Sequence, residues 1–144
     1  MTSTIPDSVR EFLATGPLAH VVTLAPEGTP HVSLAWAGCD GDDLVFATFY
    51  PDQHKIRNLR RDPRVTVSFQ ANEHTGQGLH PYLVVSGRAA IVDGGALPLM
   101  DRLSEHYIGP GQQFPMRNVP DRAVIRVAVD RIYGVGPWRS EEVG

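Results

Sequence analysis

Short segments in which apolar and polar residues alternate set the strongest limit on the fold of this chain. Alternation with a period of two is typical of strands that bury one face. The segments are residues 18–25, 31–38, 44–50, 64–71, 82–93, 122–129 and 132–138. Most are separated by tight turns rich in glycine, proline or aspartate. Six or seven strands joined in this way favour a closed or half-closed antiparallel barrel.

Three other segments have apolar residues at helical spacing. They are residues 6–15, 52–61 and 96–107. Asp52 is a favourable N-cap for the second helix, and Pro63 ends it, because the residue before a proline avoids the helical conformation. No GxGxxG motif stands between a strand and a helix, which argues against a dinucleotide-binding Rossmann fold.

The pattern also predicts how the strands connect. The three strands within residues 18–50 are expected to form an antiparallel meander. Gly87 is expected to mark a bulge or bend in the long strand 82–93. Asp130 and Arg131 are expected to end one strand before residues 132–138 complete the sheet.

Length and charge limit the functional class. A chain of 144 residues with a formal net charge of −3 is expected to form one domain, residues 1–144, and carries no overall basic footprint for nucleic acid. Cys39 is the only cysteine, which excludes an intramolecular disulfide. With no secretory signal and no apolar run long enough for a membrane span, a cytoplasmic protein is expected.

The basic segment after the third predicted strand is the candidate functional region. Lys55 is the only lysine of the chain, and Asn58 and four arginines follow it. These arginines are Arg57, Arg60, Arg61 and Arg64. Ammonium and guanidinium groups at a helix beside a strand end suit a phosphate or a carboxylate. A solvated helix face is an equal alternative from spacing alone, and the nearby hydroxyl groups of Thr48 and Tyr50 favour the anion site.

Residues for metal binding or nucleophilic catalysis are not found by motif. The six histidines include no pair at the i,i+4 spacing of a metal-binding helix, so no metal site is expected. Ser33 and Ser86 lack acid and base partners at a recognisable spacing. The catalytic residue stays unknown, and a proton could come from solvent or from a residue such as His31 or Tyr82. Trp36 fits a core position and a ring-stacking position equally well.

Several of these segments resemble a known family. Ala47-Thr48, Lys55 and the run NLRRDPRV at residues 58–65 are similar to the split-barrel flavin and deazaflavin proteins of the pyridoxamine-phosphate-oxidase-like superfamily. The run GTPHVS at residues 28–33 resembles the second strand of that group. The run RIYGVGPW at residues 131–138 resembles the last strand of its actinobacterial branch.

The resemblance implies a mainly β fold, a split antiparallel β-barrel with short flanking helices. It also implies a homodimer with cofactor sites at the subunit interface, to which Trp138 and the loop 112–117 are expected to contribute across the dimer. The residues implied in cofactor binding are His31, Val32, Ser33, Leu34, Thr48, Lys55, Arg57, Asn58 and Arg60. Lys55 would meet the phosphate, with Thr48 and Asn58 beside it. Residues 31–34 would lie along the ring, and Arg57 and Arg60 near an anionic tail.

Two oxidase motifs that this sequence does not match decide the choice of cofactor. The oxidase's basic flavin mononucleotide (FMN) motif and its C-terminal arginine motif are not matched by HVSLAWAG and VGPWRSEEVG. The branch that uses the deazaflavin coenzyme F420 fits best, since a groove formed by Arg57, Arg60, Arg61 and Arg64 would attract its polyanionic tail. The implied activity is an F420-dependent oxidoreductase that transfers hydride to a conjugated small-molecule acceptor.

Three alternatives stay open at this point. An FMN-binding oxidase or flavin reductase would keep the same fold. A non-catalytic protein that binds F420, flavin or haem is compatible with the lack of an acid–base pair. A nucleic-acid binder is disfavoured, because the chain is acidic overall and lacks interleaved aromatic and basic residues.

Overall fold

The computed structural model describes residues 4–50, 52–73, 78 and 80–138. Its helices are α1 (Asp7–Leu13), α2 (His54–Arg61) and α3 (Ala96–Tyr107). The prediction of α3 is confirmed at both ends, and α1 and α2 are shorter than predicted. None of the helices in the described residues has the length and hydropathy that a membrane crossing requires.

Seven strands form one curled antiparallel sheet. They are β1 (Ala19–Leu24), β2 (Pro30–Ala35), β3 (Ala37–Asp40), β4 (Asp43–Ala47), β5 (Arg64–Gln70), β6 (Tyr82–Val92) and β7 (Val124–Val135). Their order across the sheet is β2-β1-β5-β6-β7-β4-β3. The predicted mainly β, split-barrel architecture with short helices is confirmed.

The predicted meander of the first three strands is wrong, because the second of them is two strands. β2 pairs with β1, whereas β3 pairs with β4 at the opposite end of the strand order. Only Trp36 separates β2 from β3 along the chain. The alternation of apolar and polar residues continues through Trp36. The sequence therefore gives no sign that the pairing strand changes at this residue. The chain itself therefore joins the two edges of the curled sheet at Trp36.

The two longest strands, β6 and β7, pair along their full lengths around one irregularity. Ser86 pairs with Arg131 and Gly87 with Val129, which leaves Asp130 as the extra residue of a bulge. A Cβ on Gly87 would lie 2.1 Å from the carbonyl oxygen of Ala128. The predicted bulge at Gly87 is confirmed. The predicted strand end at Asp130 and Arg131 is wrong, because the bulge lets both exposed side chains stay within β7.

The inner face of the curled sheet holds the main core. Alternate residues of β1 and β5 are buried, as in Ala19, Val21, Val65, Val67 and Phe69, and the helices α1 and α2 add apolar side chains to the same cluster. A second, smaller cluster lies between α3 and β4, where Leu99 and Leu103 pack on Val45. The sheet is therefore packed on its inner face by α1 and α2, while α3 packs on β4.

The start of α2 differs from the sequence prediction. The helix begins at His54, and Gln53 rather than Asp52 occupies the N-cap position, without a side-chain capping bond. Asp62 follows the helix in an extended conformation before Pro63, as predicted from the proline. Lys55, Ile56, Asn58 and Leu59 are buried, so the helix turns polar as well as apolar residues toward the sheet.

Candidate functional site

A groove of about 250 Å³ lies where β2, β4, α2 and the loop after α3 meet. Leu34, Thr48 and Lys55 of the predicted cofactor-binding set line it. The rest of its wall is mainly apolar and includes aromatic and thioether side chains. The structure thus brings three of the nine predicted residues into one concave surface.

Lys55 provides the positive charge of this groove. Its side chain is only 7 % exposed, and Nζ lies 5.7 Å from the centroid of the fully buried Phe46 ring. Across the described residues, neither a carboxylate nor a hydrogen-bond acceptor accompanies Nζ. Burial lowers the pKa of Lys55, because the low-dielectric surroundings disfavour the charged form. The charged form of a largely buried lysine is costly without an anionic partner, and a bound anion would relieve that cost.

Thr48 shapes the turn that leads from β4 into α2. Its Oγ1 accepts a hydrogen bond from the Tyr50 N–H at 3.1 Å and donates to Gln53 Oε1 at 2.7 Å. Its backbone N–H donates to the Ala123 carbonyl at 3.0 Å. These bonds fix the orientation of the groove wall, and they already occupy the hydroxyl group that was predicted to flank the phosphate.

Asn58 does not line the groove with Lys55. Its Nδ2 donates to Thr23 Oγ1 at 3.0 Å, between two buried side chains, and its Oδ1 accepts from Arg61 at 3.4 Å. The amide therefore joins α2 to β1. The expected convergence of the Thr48 hydroxyl, the Lys55 ammonium and the Asn58 amide on one anion is not present in this arrangement.

The arginines of the basic segment point to different partners. Arg57 donates to the ring of His54, Arg61 to the carbonyl of Leu24, and Arg60 lines a separate groove with Asp93 and Arg122. Their single groove, expected from the sequence, is not formed, because positions 57, 60, 61 and 64 leave α2 and its flank in different directions.

Arg64 has a local partner of its own. Its guanidinium binds both oxygens of Asp62, at 3.1 and 2.8 Å. The hydrogen bonds from Arg64 hold the pKa of the Asp62 carboxyl at about 2. This exposed pair uses the charge of Arg64 beside the strand start, away from Lys55.

Strand β2 presents different side chains to its two faces. Val32 and Leu34 are 58 % and 55 % exposed, whereas His31 and Ser33 point toward the sheet interior and α2. The His31 ring stacks on His54 of α2, with centroids 5.6 Å apart. In the part of the chain that the structure describes, His31 Nδ1 and Ser33 Oγ are buried without a hydrogen-bond partner. Such atoms are rare and indicate a site that a polar ligand or water completes.

Aromatic rings form the wall opposite α2. Trp36 stacks on Tyr107 with centroids 5.0 Å apart, and Phe114 meets the Trp36 ring edge-on at 5.7 Å. Phe114 also lies 5.4 Å from Phe49. Trp36 therefore packs against α3 and borders the groove, and its stacking on a cofactor ring stays a prediction.

Residues that were expected to reach a partner subunit make contacts within their own subunit. Trp138 is 1 % exposed, packs on Phe12, and donates from Nε1 to the Tyr82 carbonyl at 3.0 Å. Phe114 and Met116 of the loop 112–117 line the Lys55 groove of the same chain. Neither Tyr82 nor His31 lines that groove, so both stay predictions as proton donors.

Sequence reasoning missed Gln53 and Met100 in the groove wall, and it expected the loop with Phe114 and Met116 at the site of the partner subunit. Phe114 and Met116 follow a glycine- and proline-rich stretch without periodicity, so no pattern indicated which way they face. Met100 belongs to the helical spacing of residues 96–107, and that pattern predicted only the helix. An unpaired aromatic residue within a polar loop is the one signal that marked Phe114 as unusual.

Comparison with known proteins identifies the family. The sequence model of pyridoxamine 5'-phosphate oxidase matches residues 5–136. The chain belongs to the pyridoxamine 5'-phosphate oxidase family. That membership covers the whole sheet and the Lys55 groove. A search of curated protein sequences gives no significant match.

Solved structures of this family's fold carry different names. An F420 reductase is 27% identical, with a TM-score of 0.72 over 90% of this chain and 98% of that chain. A conserved hypothetical protein from Mycobacterium tuberculosis is 20% identical, with a TM-score of 0.70 over 93% of this chain and 86% of that chain. A heme binding protein from Mycobacterium smegmatis is 22% identical, with a TM-score of 0.64 over 93% of this chain and 56% of that chain. The last two likenesses show the fold alone.

Proposed function

We propose that this chain is a cytoplasmic F420-dependent reductase that acts on a conjugated small-molecule acceptor. The observation that carries the proposal is Lys55, a largely buried residue whose ammonium has no anionic partner in the described residues and which lies at one side of an aromatic groove. The likeness to an F420 reductase at 27% identity supports the choice of cofactor.

The groove fits a flat cofactor that carries a phosphate. Lys55 supplies one positive charge for the phosphate, and a lysine is a common phosphate ligand. Ser33 Oγ and His31 Nδ1 also lack a partner, but they lie on the other face of β2 from Leu34 and outside the groove lining. Leu34 and Trp36 give apolar surface for a ring. Arg57 remains a candidate for the anionic tail, from the exposed face of α2, and the role of Asn58 would be to hold that helix on β1.

When bound and reduced, the deazaflavin ring would supply a hydride to an electron-poor acceptor. The chain's own residues bind, orient and exclude water. Lys55 balances the charge of the phosphate, the Thr48–Gln53 bond fixes the turn beside it, and Phe114 and Trp36 keep water from the ring. Hydride transfer from a bound cofactor needs no protein nucleophile, in keeping with the absence of a nucleophile motif from the sequence.

A homodimer is part of the proposal. Val32 and Leu34 are large apolar side chains that β2 exposes, and Leu34 also borders the groove. A second subunit on this face would bury them and complete the open side of the cofactor site.

An FMN-dependent reaction on the same groove is the second candidate. The dispersed arginines favour it, because Arg61 and Arg64 bind Leu24 and Asp62 rather than forming a groove for a polyanionic tail. FMN ends in a single phosphate and would need Lys55 alone.

Parallel titrations of the purified protein with F420, FMN and haem test the proposal. We expect F420 to bind most tightly, with bound reduced F420 reoxidised by a quinone-like acceptor. Tighter binding of FMN would favour the FMN-dependent reaction over the F420-dependent one. Preferential haem binding, or no reoxidation across a broad acceptor panel, would contradict a reductase.

Two variants test whether F420 binds in the Lys55 groove. Lys55→Ala is expected to weaken F420 binding by about 2 kcal/mol, since a charge-assisted bond to the phosphate is lost. Arg102→Ala removes one positive charge from the exposed side of α3, outside the groove, and should bind as the unaltered protein does. Equal losses in both variants would assign the effect to general electrostatics.

A further inference from the structure

A second groove, of about 480 Å³, lies between α1, the chain that follows β5 and the start of β6. We call it the α1 groove, after the helix that forms one of its walls. Its volume is within the ~300–1,000 Å³ of pockets that hold small organic molecules. In the described residues it shares no lining side chain with the Lys55 groove. The α1 groove is therefore a separate candidate site.

The wall on α1 is set by residue spacing. Ser8, Glu11 and Phe12 lie at positions i, i+3 and i+4, so their side chains share one side of the helix. Val9 and Leu13 of the same helix are 1 % and 2 % exposed and belong to the main core. Their burial fixes α1 on the sheet, and the wall of the groove with it.

A second wall is the chain that leaves β5 and enters β6. The Ala71 N–H donates to the Pro81 carbonyl at 2.9 Å, and the Ala71 carbonyl oxygen lies 2.8 Å from His80 Nδ1. These contacts hold the two strand ends together beside the groove. Glu73 lines the groove from this side, two residues after Ala71. The two walls therefore carry one glutamate each.

The remaining lining is mainly apolar. Trp138 is 1 % exposed, packs on Phe12 with centroids 4.8 Å apart, and donates from Nε1 to the Tyr82 carbonyl at 3.0 Å. Phe12 is half-buried, and Pro81 and Pro137 add further apolar surface. The hydrocarbon part of a ligand would lose contact with water on this surface, which favours binding.

The charge of the α1 groove is negative. Glu11 and Glu73 are the two ionisable residues of its lining, within the ranges that the structure describes. In that part of the chain neither carboxylate has a hydrogen-bond or ion-pair partner. Four other grooves each include at least one arginine or lysine. An apolar surface that carries carboxylates and no cation attracts a positively charged ligand.

We propose that the α1 groove binds a small organic cation, an amine carried on an apolar body, and that Glu11 and Glu73 select its charge. The apolar lining holds the body, and the carboxylates accept hydrogen bonds from the ammonium group. Because both glutamates are exposed, each contributes modestly, and the apolar contact supplies most of the affinity. This inference goes beyond the proposed reductase and does not depend on it.

Three probes with one apolar body and different charges test the selection. They are 4-phenylbutylamine, 4-phenylbutanol and 4-phenylbutyrate, which are cationic, neutral and anionic at neutral pH. We expect the amine to bind about tenfold more tightly than the alcohol, and the carboxylate to bind most weakly. Equal affinities for the three probes, or a preference for the carboxylate, would overturn the proposal.

The two tryptophans of the protein show where the amine binds. Trp138 lines the α1 groove and Trp36 lines the Lys55 groove, so their indole N–H signals in a ¹H–¹⁵N spectrum report on different sites. Titration with 4-phenylbutylamine should shift the Trp138 signal and leave the Trp36 signal in place. A larger shift at Trp36, or no shift at Trp138, would contradict binding in the α1 groove.

Variants of the two glutamates test the origin of the charge preference. Glu11→Gln and Glu73→Gln should each weaken binding of the amine about threefold and leave binding of 4-phenylbutanol unchanged. Glu27→Gln removes an exposed carboxylate from the turn before β2, outside the groove, and is the matched control. An equal loss in Glu27→Gln would assign the preference to the net charge of the protein.

A lysine side chain of another protein offers the same ammonium group. A tetralysine peptide should compete weakly with 4-phenylbutylamine, because it lacks the apolar body. Tighter binding of the peptide would overturn the assignment to a small molecule. Lys55→Ala should bind the amine as the unaltered protein does, so failure of the F420 proposal and failure of this one are distinguishable.

Discussion

The Nζ atom of Lys55 lies 5.7 Å from the centroid of Phe46, so the sole ammonium side chain of the protein faces a buried ring and not a carboxylate. A cation above a ring is stabilised by the ring's quadrupole, but less than by an anion. Lys55 is therefore held in place and still able to take an anionic ligand.

Anion binding at Lys55 should weaken as pH rises. Burial lowers the pKa of Lys55 in the free protein, and a bound phosphate favours the ammonium and raises that pKa again, so binding takes up a proton. FMN titrations from neutral pH upward toward 10.5, the ordinary pKa of a lysine, should show a falling affinity. Lys55→Arg stays charged throughout and should abolish the slope. The same slope in Lys55→Arg would contradict this role for Lys55.

Asn58→Ala should lower stability more than it lowers cofactor affinity. The change leaves Thr23 Oγ1 buried without its 3.0 Å partner, which costs about 1–3 kcal/mol in urea unfolding. The double variant Thr23→Val with Asn58→Leu removes both polar groups and should recover much of that loss. A large affinity loss at unchanged stability would instead favour direct contact of Asn58 with the cofactor.

Tyr107 should make the protein sensitive to alkaline pH. Its hydroxyl donates to the Pro17 carbonyl at 2.5 Å and accepts from the Ala37 N–H at 3.0 Å, and burial raises its pKa from 10.0 to about 12. A pKa raised by folding means that the stabilisation is complete below pH 10 and is lost as pH rises toward 12. Tyr107→Phe should be less stable at neutral pH and lose less between these values. Parallel alkaline unfolding curves would contradict this assignment.

Gly87→Ala should disrupt the bulge between β6 and β7. The new Cβ would lie 2.1 Å from the backbone oxygen of Ala128, which cannot move without breaking the pairing. We expect a loss of about 3 kcal/mol in thermal or urea unfolding. Gly38→Ala is the matched control, because its Cβ would meet only the Leu103 side chain, at 2.8 Å, and should cost about 1 kcal/mol. Similar losses in both variants would argue against a backbone clash at Gly87.

Val32→Asp tests the proposed homodimer. A charge in place of a side chain that is 58 % exposed should leave the monomer folded and prevent a partner from covering β2. Light scattering should give about twice 15.8 kDa for the unaltered protein and 15.8 kDa for the variant. Glu27→Gln, at an exposed position in the turn before β2, is a control for the change in charge. A monomeric unaltered protein would contradict the homodimer.

The sequence predicted features that local chemistry determines. The ends of α3, the bulge at Gly87 and the barrel class follow from periodicity and from residue types whose backbone preferences are strong. The start of a new strand after Trp36 was not predictable, because pairing partners depend on how the sheet curls and not on alternation. The strand through Asp130 was missed for a related reason, since a bulge lets charged residues stay in a strand.

The candidate site was predicted unevenly. Lys55 stood out because it is unique in the sequence and lies beside a strand end. The directions of Arg57, Arg60 and Arg61 depend on the rotation of α2, which Ile56 and Leu59 set by packing on the sheet. The Phe114 N–H donates to the distant carboxylate of Asp101 at 2.9 Å, and no local pattern connects the two residues.

Trp36, the single residue between β2 and β3, takes part in both sheet closure and the groove wall. Trp36 joins the two edges of the curled sheet and also borders the groove, so a substitution there changes barrel closure and ligand fit at once. Phe114 borders the same groove from a loop whose replacement leaves every strand pair intact. Substitutions in this loop can therefore change the ligand preference at little cost in stability. Substitutions at Trp36 would also disturb the closure of the sheet.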